Sequence, residues 1–167
     1  MKDTLRILVS WECNLNCSYC CNNQPQFRKD IIPTAFEDID WAGYENFCIT
    51  GGEPLLRLDL VAKVLAKIPA GKTVILYTNG FLMTSEIAQE LEACGVRYVN
   101  VGMHDPKTFS LIINRVLAAT KGSSLSVRFH AQDIYSEELT KTFPGVSFKF
   151  WHMDDCARDN EDRIVLK

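Results

Sequence analysis

Three cysteines, Cys13, Cys17 and Cys20, lie within eight residues at the spacing C-x3-C-x2-C and constrain this chain more than any other feature. They follow a short apolar run at residues 5–9, so the loop that carries them should begin where a β-strand ends. Thiolates are the usual ligands of iron–sulfur clusters. Because a cubane cluster contains four irons, three cysteines leave one iron open to another ligand, as at a catalytic metal. The spacing therefore predicts a reactive iron–sulfur centre.

A zinc site is the competing interpretation of these cysteines, since soft thiolates bind both metals. A structural zinc site uses four ligands, often as two separated pairs. The fourth candidate in this chain is Cys21, which directly follows Cys20, and adjacent residues ligate one ion awkwardly. The spacing favours an iron–sulfur cluster.

A second motif, Gly51-Gly52-Glu53-Pro54, follows the apolar run at residues 46–50, and a third run ends in Thr78-Asn79-Gly80. Tyr19 occupies the aromatic position of a C-x3-C-x-aromatic-C pattern. In this order, the motifs resemble those of the radical S-adenosylmethionine (radical SAM) superfamily. The resemblance covers roughly residues 5 to 153, and its later part rests on pattern rather than motif.

The resemblance implies two cofactors and a radical reaction. Cys13, Cys17 and Cys20 would bind a 4Fe–4S cluster, and S-adenosylmethionine would chelate the open iron through its amino and carboxylate groups. An electron from a low-potential donor of the flavodoxin or ferredoxin type would cleave the sulfonium. The products would be methionine and a 5′-deoxyadenosyl radical, which abstracts hydrogen from a substrate carbon. The cofactors carry this chemistry, and the protein supplies position and seclusion.

By similarity, Gly51, Gly52 and Glu53 would hold the methionyl amino group, and Tyr19 would lie near the adenine. Two glycines allow close backbone approach at a strand end. A carboxylate accepts charge-assisted hydrogen bonds from an ammonium group. Without the cysteine motif, a plain strand-to-helix turn would be the preferred explanation of Gly51-Gly52-Glu53-Pro54.

Three further residues, Asn79, His104 and Arg128, are candidates for contacts to the cofactor's ribose or carboxylate, because of their polarity and their positions near strand ends. Each has a structural alternative: a turn at Asn79, a satisfied hydrogen bond at His104 and an acidic partner for Arg128. The family often has a Ser-Leu-Asp-Gly-like segment after the fourth strand. Residues 101–105 read Val-Gly-Met-His-Asp instead, and this departure puts the ribose contact in question.

Short strands alternate with helices along the whole chain. Strands are predicted at residues 5–10, 46–50, 73–77, 97–101, 125–130 and 146–151. Helices are predicted at residues 34–42, 58–67, 85–94, 106–119 and 137–142. Six strands that alternate with helices indicate a parallel sheet with right-handed crossovers.

The faces of the later strands distinguish an open doubly wound sheet from a partial barrel. In the fifth strand, polar residues alternate with apolar ones; the polar residues are Ser126, Arg128 and His130. A polar face favours a lumen that holds a polar ligand, although an edge strand with one wet face would explain it too. Together with the family resemblance, the pattern predicts an α/β fold, a six-stranded parallel partial (β/α)6 barrel.

Length and composition indicate one globular domain over residues 1–167, with a charged and mobile tail expected from about residue 154. The net charge is −3 and no basic stripe is present, so nucleic-acid binding is not indicated. No stretch reaches the length of a membrane helix. An odd number of cysteines, seven, and an N-terminus unlike a secretory signal predict a cytoplasmic protein.

Cys156, just beyond the last predicted strand, is a candidate donor of a hydrogen atom to a substrate radical if its segment folds over the barrel mouth. Short loops leave that mouth open, so a macromolecular substrate, a partner protein or a second subunit is expected to complete the seclusion that radicals require. The sequence does not distinguish among a nucleoside, a heterocycle and a glycyl radical enzyme as the substrate. The alternative function is a non-catalytic iron–sulfur protein for electron transfer or redox sensing, against which Gly51-Gly52-Glu53 argues.

Overall fold

The computed structural model describes residues 2–152 and 160–167 and contains an eight-stranded sheet. The strands are β1 (Thr4–Leu8), β2 (Ile32–Thr34), β3 (Asn46–Thr50), β4 (Thr73–Thr78), β5 (Tyr98–Gly102), β6 (Ser126–Gln132), β7 (Phe148–Trp151) and β8 (Glu161–Leu166). Their order is β2-β8-β1-β3-β4-β5-β6-β7, and every neighbouring pair is parallel. The sheet is open, with β2 and β7 at its edges, and the predicted α/β parallel partial barrel is confirmed as the fold class, with eight strands instead of the predicted six.

Helices lie on both faces of the sheet. α1 (Pro25–Lys29) lies on the inner face, and the outer face is covered by α2 (Leu58–Leu65), α3 (Ser85–Ala93), α4 (Phe109–Ala119) and α5 (Ser136–Thr142). Alternate residues of the strands, among them Ile49, Leu76 and Val101, are fully buried in the core that α2–α5 share. Thr84 is the N-cap of α3, since its side chain accepts a hydrogen bond from the Ile87 amide.

The helix predicted at residues 34–42 is wrong. Thr34 ends strand β2, and a single 3-10 turn, Phe36–Asp38, follows it. The chain ends beside this segment, where the Lys167 amide donates to the Thr34 carbonyl at 3.2 Å. Pairing with β8 therefore outweighs the local capping signal that Thr34 and Glu37 provide.

The charged tail from about residue 154, which was expected to be mobile, forms strand β8 over most of its described part. Glu161 and Arg163 lie in β8, between β1 and β2, and both are buried. Arg6 of β1 makes a two-pronged ion pair with Glu161, with N–O distances of 2.8 and 2.9 Å. Arg163 donates to the same carboxylate at 2.9 Å. These opposite charges satisfy one another, so a charged sequence forms a strand inside the sheet. Cys156 lies outside the described residues.

The inner face of the sheet, opposite the helices of the outer core, carries the polar residues of the alternating pattern. β6 lies between β5 and β7, so its polar face is not the solvent-exposed face of an edge strand. One half of the inner face is filled: Phe27 and Ile31 pack against Leu8 of β1 and Val165 of β8. The other half, on β5–β7, stays exposed at Tyr98 and Arg128.

None of the helices within residues 2–152 and 160–167 combines the length and the apolar character needed to cross a bilayer.

Candidate functional site

The cysteine loop, residues 9–24, leaves the carboxyl end of β1 and carries three free thiols. Cys13 is exposed, whereas Cys17 and Cys20 are half-buried. The loop begins with a bond from the Val9 amide to the Thr50 carbonyl at 2.9 Å, which extends the pairing of β1 with β3. The loops after β1 and β3 therefore start side by side, as ligand-binding loops of parallel sheets do.

Gly51 and Gly52 hold the cysteine loop against the end of β3. The Gly52 amide donates to the Ser10 carbonyl at 2.8 Å, and the Glu53 amide donates to the Glu12 carbonyl at 2.7 Å. A Cβ on Gly52 would lie 2.0 Å from the Glu12 oxygen, and a Cβ on Gly51, at φ +148°, would lie 2.4 Å from the Ser10 oxygen. Only glycine permits this approach, which is the physical reason for the Gly-Gly pair.

Glu53 is directed inward, with its side chain 1% exposed. Its carboxylate accepts hydrogen bonds from the Leu55 amide at 3.0 Å, the Thr78 hydroxyl at 2.7 Å and the Asn79 amide at 2.7 Å. Burial raises the pKa of this carboxyl above its ordinary value, and the three donors partly offset that effect. Glu53 thus ties the loop after β3 to the end of β4, while contact with a cofactor amino group remains a prediction.

Two asparagine side chains extend this network to the cysteine loop. The Asn79 amide nitrogen donates to the Asn14 side-chain oxygen at 2.7 Å and lies 4.0 Å from the Cys13 sulfur. Asn22 donates to the Gly51 carbonyl at 2.6 Å. Sequence reasoning selected Asn79 but missed Asn14 and Asn22; their positions beside motif cysteines were the available signal.

Tyr19 reaches from the cysteine loop across to β5 and β7. Its hydroxyl donates to the His104 carbonyl, and its ring lies 6.0 Å from the His104 ring and 6.4 Å from the Trp151 ring. Burial raises the pKa of Tyr19 to about 12, so the phenol stays protonated at neutral pH. Burial also lowers the pKa of His104, which favours the neutral imidazole. A role for Trp151 was not predicted, because its contact to Tyr19 is long-range.

A cleft of about 320 Å³ opens between the cysteine loop and the ends of β4 and β5. Its walls come from the loop on one side and from the segments after β4 and β5 on the other. The principal lining residues are Leu15, Cys17, Tyr19, Phe81, His104 and Asp105. Three predicted site residues, Cys17, Tyr19 and His104, therefore share one concave surface.

Arg128 and His130 lie on the inner face of β6, away from the network that joins Glu53, Asn79 and the cysteine loop. Arg128 is exposed and stands in register with Asn100 of β5. The His130 ring packs edge-on against Tyr77 at 6.0 Å. The structure thus brings Asn79 to the cysteine loop through its side chain and leaves Arg128 in a separate part of the barrel.

The thiols suit an iron–sulfur cluster. Burial, followed by the charges of Cys20 and Cys13, raises the pKa of Cys17 above its ordinary value. The Leu15 amide lies 3.4 Å from the Cys13 sulfur as a hydrogen-bond donor suited to a thiolate. Among the described residues, no three Cys, His, Asp or Glu side chains form a site for a single ion. A cubane does not need one, because each of its cysteines binds a different iron.

A family model, that of the Radical SAM superfamily, matches residues 8–142, which include both motifs. The chain belongs to the radical SAM superfamily. This family uses a 4Fe–4S cluster and S-adenosylmethionine, and ligation of the cluster by Cys13, Cys17 and Cys20 stays a prediction.

Curated relatives share the family and are much longer. The GTP 3′,8-cyclase of Crocosphaera subtropica is 33% identical over 125 residues, which are 66% of this chain and 37% of the relative. The GTP 3′,8-cyclase of Peptoclostridium acidaminophilum is 37% identical over 133 residues, which are 72% of this chain and 38% of the relative. The chain therefore spans less than two fifths of the length of these relatives.

Among solved structures, BtrN in complex with AdoMet and 2-DOIA superimposes with a TM-score of 0.54 at 22% identity. The match covers 77% of this chain and 56% of BtrN. It supports the partial-barrel fold of this radical SAM protein.

Proposed function

We propose that this chain is an enzyme that reductively cleaves S-adenosylmethionine and uses the product radical on a substrate C–H bond. Cys13, Cys17 and Cys20 would hold the cluster, which with S-adenosylmethionine and one external electron would supply reductive cleavage of the sulfonium and abstraction of a substrate hydrogen atom. The protein binds and orients the cofactors and excludes water.

The close contact between the cysteine loop and Gly51-Gly52, which we call the clamp, is the observation that carries this proposal. A protein that only stored or transferred electrons would need the three thiols. It would have no use for a second loop that reaches the first through backbone bonds of 2.7–2.8 Å and two glycines. The clamp places the polar groups at the carboxyl ends of β3 and β4 beside the cysteine loop, where a polar cofactor would bind.

Within this site, Gly51, Gly52 and Glu53 are proposed to position the methionyl amino group. The carbonyl of Gly51 already accepts a bond from Asn22, and a carbonyl can accept a second donor. Glu53 keeps the loop in place through Thr78 and Asn79. Tyr19, Asn79 and His104 are proposed to border the nucleoside, because they surround or adjoin the cleft.

The electron donor and the closing partner remain predictions. A flavodoxin- or ferredoxin-type donor must approach the exposed side of the cysteine loop, where Cys13 lies at the surface. A macromolecular substrate, a partner protein or a second copy of the chain would cover the open mouth. The relatives carry the name GTP 3′,8-cyclase, so GTP is the first small substrate to test, although the chain spans less than two fifths of them.

The test is anaerobic reconstitution with iron and sulfide, followed by reduction and addition of S-adenosylmethionine. We expect 5′-deoxyadenosine and methionine to form, and we expect the electron paramagnetic resonance spectrum of the reduced cluster to change when S-adenosylmethionine is added. Cys17→Ala should lose the cluster and all product. Cys94→Ala is the matched control, because Cys94 is also a free thiol but lies exposed at the end of α3.

Three results would contradict the proposal in different ways. A cluster whose spectrum ignores S-adenosylmethionine would assign the chain to electron transfer or redox sensing. Zinc in place of iron would overturn the interpretation of the cysteines. Equal loss of product in Cys17→Ala and Cys94→Ala would mean that the effect is not specific to the motif.

A further inference from the structure

We infer that the exposed inner face of β5–β7 binds the substrate, and that Arg128 binds an anionic group of that substrate, a carboxylate or a phosphate. This inference rests on the proposed function and adds the class of substrate.

The inner face of these strands is polar and contains no carboxylate. Strand register and alternation identify its members. They are Tyr98, Asn100 and Gly102 of β5, Ser126, Arg128, His130 and Gln132 of β6, and Lys149 and Trp151 of β7. Neither Asp nor Glu occurs among them, whereas Arg and Lys do. Arg128 makes its part of this surface positive, and a cationic substrate would be repelled there.

The other half of the inner face cannot take the same ligand, because its two arginines already share a carboxylate and lie buried. Arg6 and Arg163 both bind Glu161, and all three residues are buried. The Arg6 guanidinium also lies 4.6 Å from the centre of the Tyr77 ring. Phe27 and Ile31 fill the remaining space beside β8. A substrate is therefore confined to the β5–β7 side.

Arg128 differs from these two arginines in having no counter-ion. It is exposed and makes neither a hydrogen bond nor an ion pair with any residue in the described ranges 2–152 and 160–167. Asn100 stands directly opposite in register and offers an amide donor. A guanidinium with an adjacent amide suits the planar, two-oxygen edge of a carboxylate or phosphate. An acidic partner for Arg128, the structural alternative raised by the sequence, is absent from the described part of the chain.

The same face leads to the cysteine loop. Trp151 pairs with Gln132 at the carboxyl end of β6 and contacts Tyr19 of the loop. Arg128 precedes Gln132 by four residues, about 13 Å along the strand at the usual rise per residue. The substrate is therefore extended, with its reacting carbon toward Tyr19 and its anionic group at Arg128.

The test uses two probes, inorganic tripolyphosphate and citrate, titrated calorimetrically into the reconstituted protein. S-adenosylhomocysteine is present throughout, so that the cofactor's own carboxylate site is filled. We expect at least one probe to bind, and we expect Arg128→Gln to weaken it about tenfold or more, as for loss of a charge-assisted contact. Binding of tripolyphosphate alone would identify a phosphate-bearing substrate, and binding of citrate alone a carboxylate.

Arg97→Gln is the matched control. Arg97 is exposed and precedes β5 by one residue, so alternation places it on the opposite face from Tyr98. The affinity of the Arg97→Gln variant for the probe should equal that of the parent. The inference fails if neither probe binds, if Arg97→Gln weakens binding as much as Arg128→Gln, or if Arg128→Gln lowers affinity for S-adenosylmethionine and leaves the probes unaffected.

Product analysis of the same preparations separates this inference from the proposed function. A parent protein that forms 5′-deoxyadenosine but binds neither probe overturns the anion site alone. A parent protein that binds a probe through Arg128 but never cleaves S-adenosylmethionine overturns the proposed function and keeps an anion site on β6.

Discussion

The carboxylate of Glu53 joins two strand ends, and its three hydrogen bonds define what a substitution would do. Its partners are the Leu55 amide, the Thr78 hydroxyl and the Asn79 amide, and all three are donors. A glutamine has only one acceptor oxygen in place of two. One buried donor would then face the amide NH2 group, which cannot accept a bond.

Glu53→Gln is therefore expected to lower the free energy of unfolding by about 1–3 kcal/mol, the cost of a buried unsatisfied donor. Urea unfolding, measured by circular dichroism, checks this value. Glu37→Gln is the control, because Glu37 is exposed on the turn after β2. Equal stability of Glu53→Gln and the parent would show that the carboxylate does not hold the strand ends together. Loss of affinity for S-adenosylmethionine in Glu53→Gln, beyond any loss of stability, would support its predicted contact with the amino group.

At the scale of elements, the cysteine loop depends on a contact that only glycine allows. An added Cβ at Gly52 would overlap the Glu12 carbonyl, whose oxygen would be 2.0 Å away. Gly52→Ala should push the two loops apart and lower the iron retained per chain after reconstitution. The expected loss in unfolding free energy is about 1–3 kcal/mol, as for overpacking elsewhere.

Gly71→Ala is the control for Gly52→Ala. Gly71 has φ +87° and no atom within 4 Å of an added Cβ, so its substitution strains the backbone without touching the loops. It should lower stability and leave iron retention unchanged. If Gly71→Ala lost as much iron as Gly52→Ala, general destabilisation would explain both, and the clamp would have no specific role.

Elements with a clear period could be predicted from the sequence. All six predicted strands are present. In β5 and β6 the alternation that predicted them is seen as burial of Val99, Val101, Phe129 and Ala131. β2 and β8 were missed for different reasons. β2 has three residues, one of them Pro33, whereas β8 begins with charges that only their partners on β1 make compatible with burial.

The candidate site, like the fold, could be predicted only in part from the sequence. Motif spacing predicted where the cysteines and Gly51-Gly52-Glu53 lie relative to the strands, since that depends on order along the chain. It could not predict that Glu53 binds Thr78 and Asn79, which are more than twenty residues away, or that Tyr19 contacts Trp151. Such pairings depend on how strand ends meet in three dimensions.

At the scale of the whole molecule, Glu161 joins the last described strand to the first. Burial alone would raise its pKa, but the hydrogen bonds and charges of Arg6 and Arg163 outweigh burial and lower the pKa below the ordinary value of 4.5. An acid with a lower pKa in the folded state binds fewer protons when folded than when unfolded, so protonation favours unfolding. Its contribution to stability is complete above pH 4.5 and is lost as the pH falls through the lower, folded-state pKa.

The parent should therefore lose stability as the pH falls below 4.5, as measured by urea unfolding at a series of pH values. Glu161→Gln alone removes the carboxylate that Arg6 and Arg163 share and should cost about 3–5 kcal/mol at neutral pH. The informative variant replaces the whole cluster, as Arg6→Met, Glu161→Leu and Arg163→Met, because apolar replacement of a buried ionic cluster is often neutral or stabilising. It should fold at neutral pH and show a shallower acid loss than the parent. An equally steep loss in this variant would mean that other carboxylates cause the acid unfolding, and that the ionic contact between β1 and β8 does not govern the stability of the barrel.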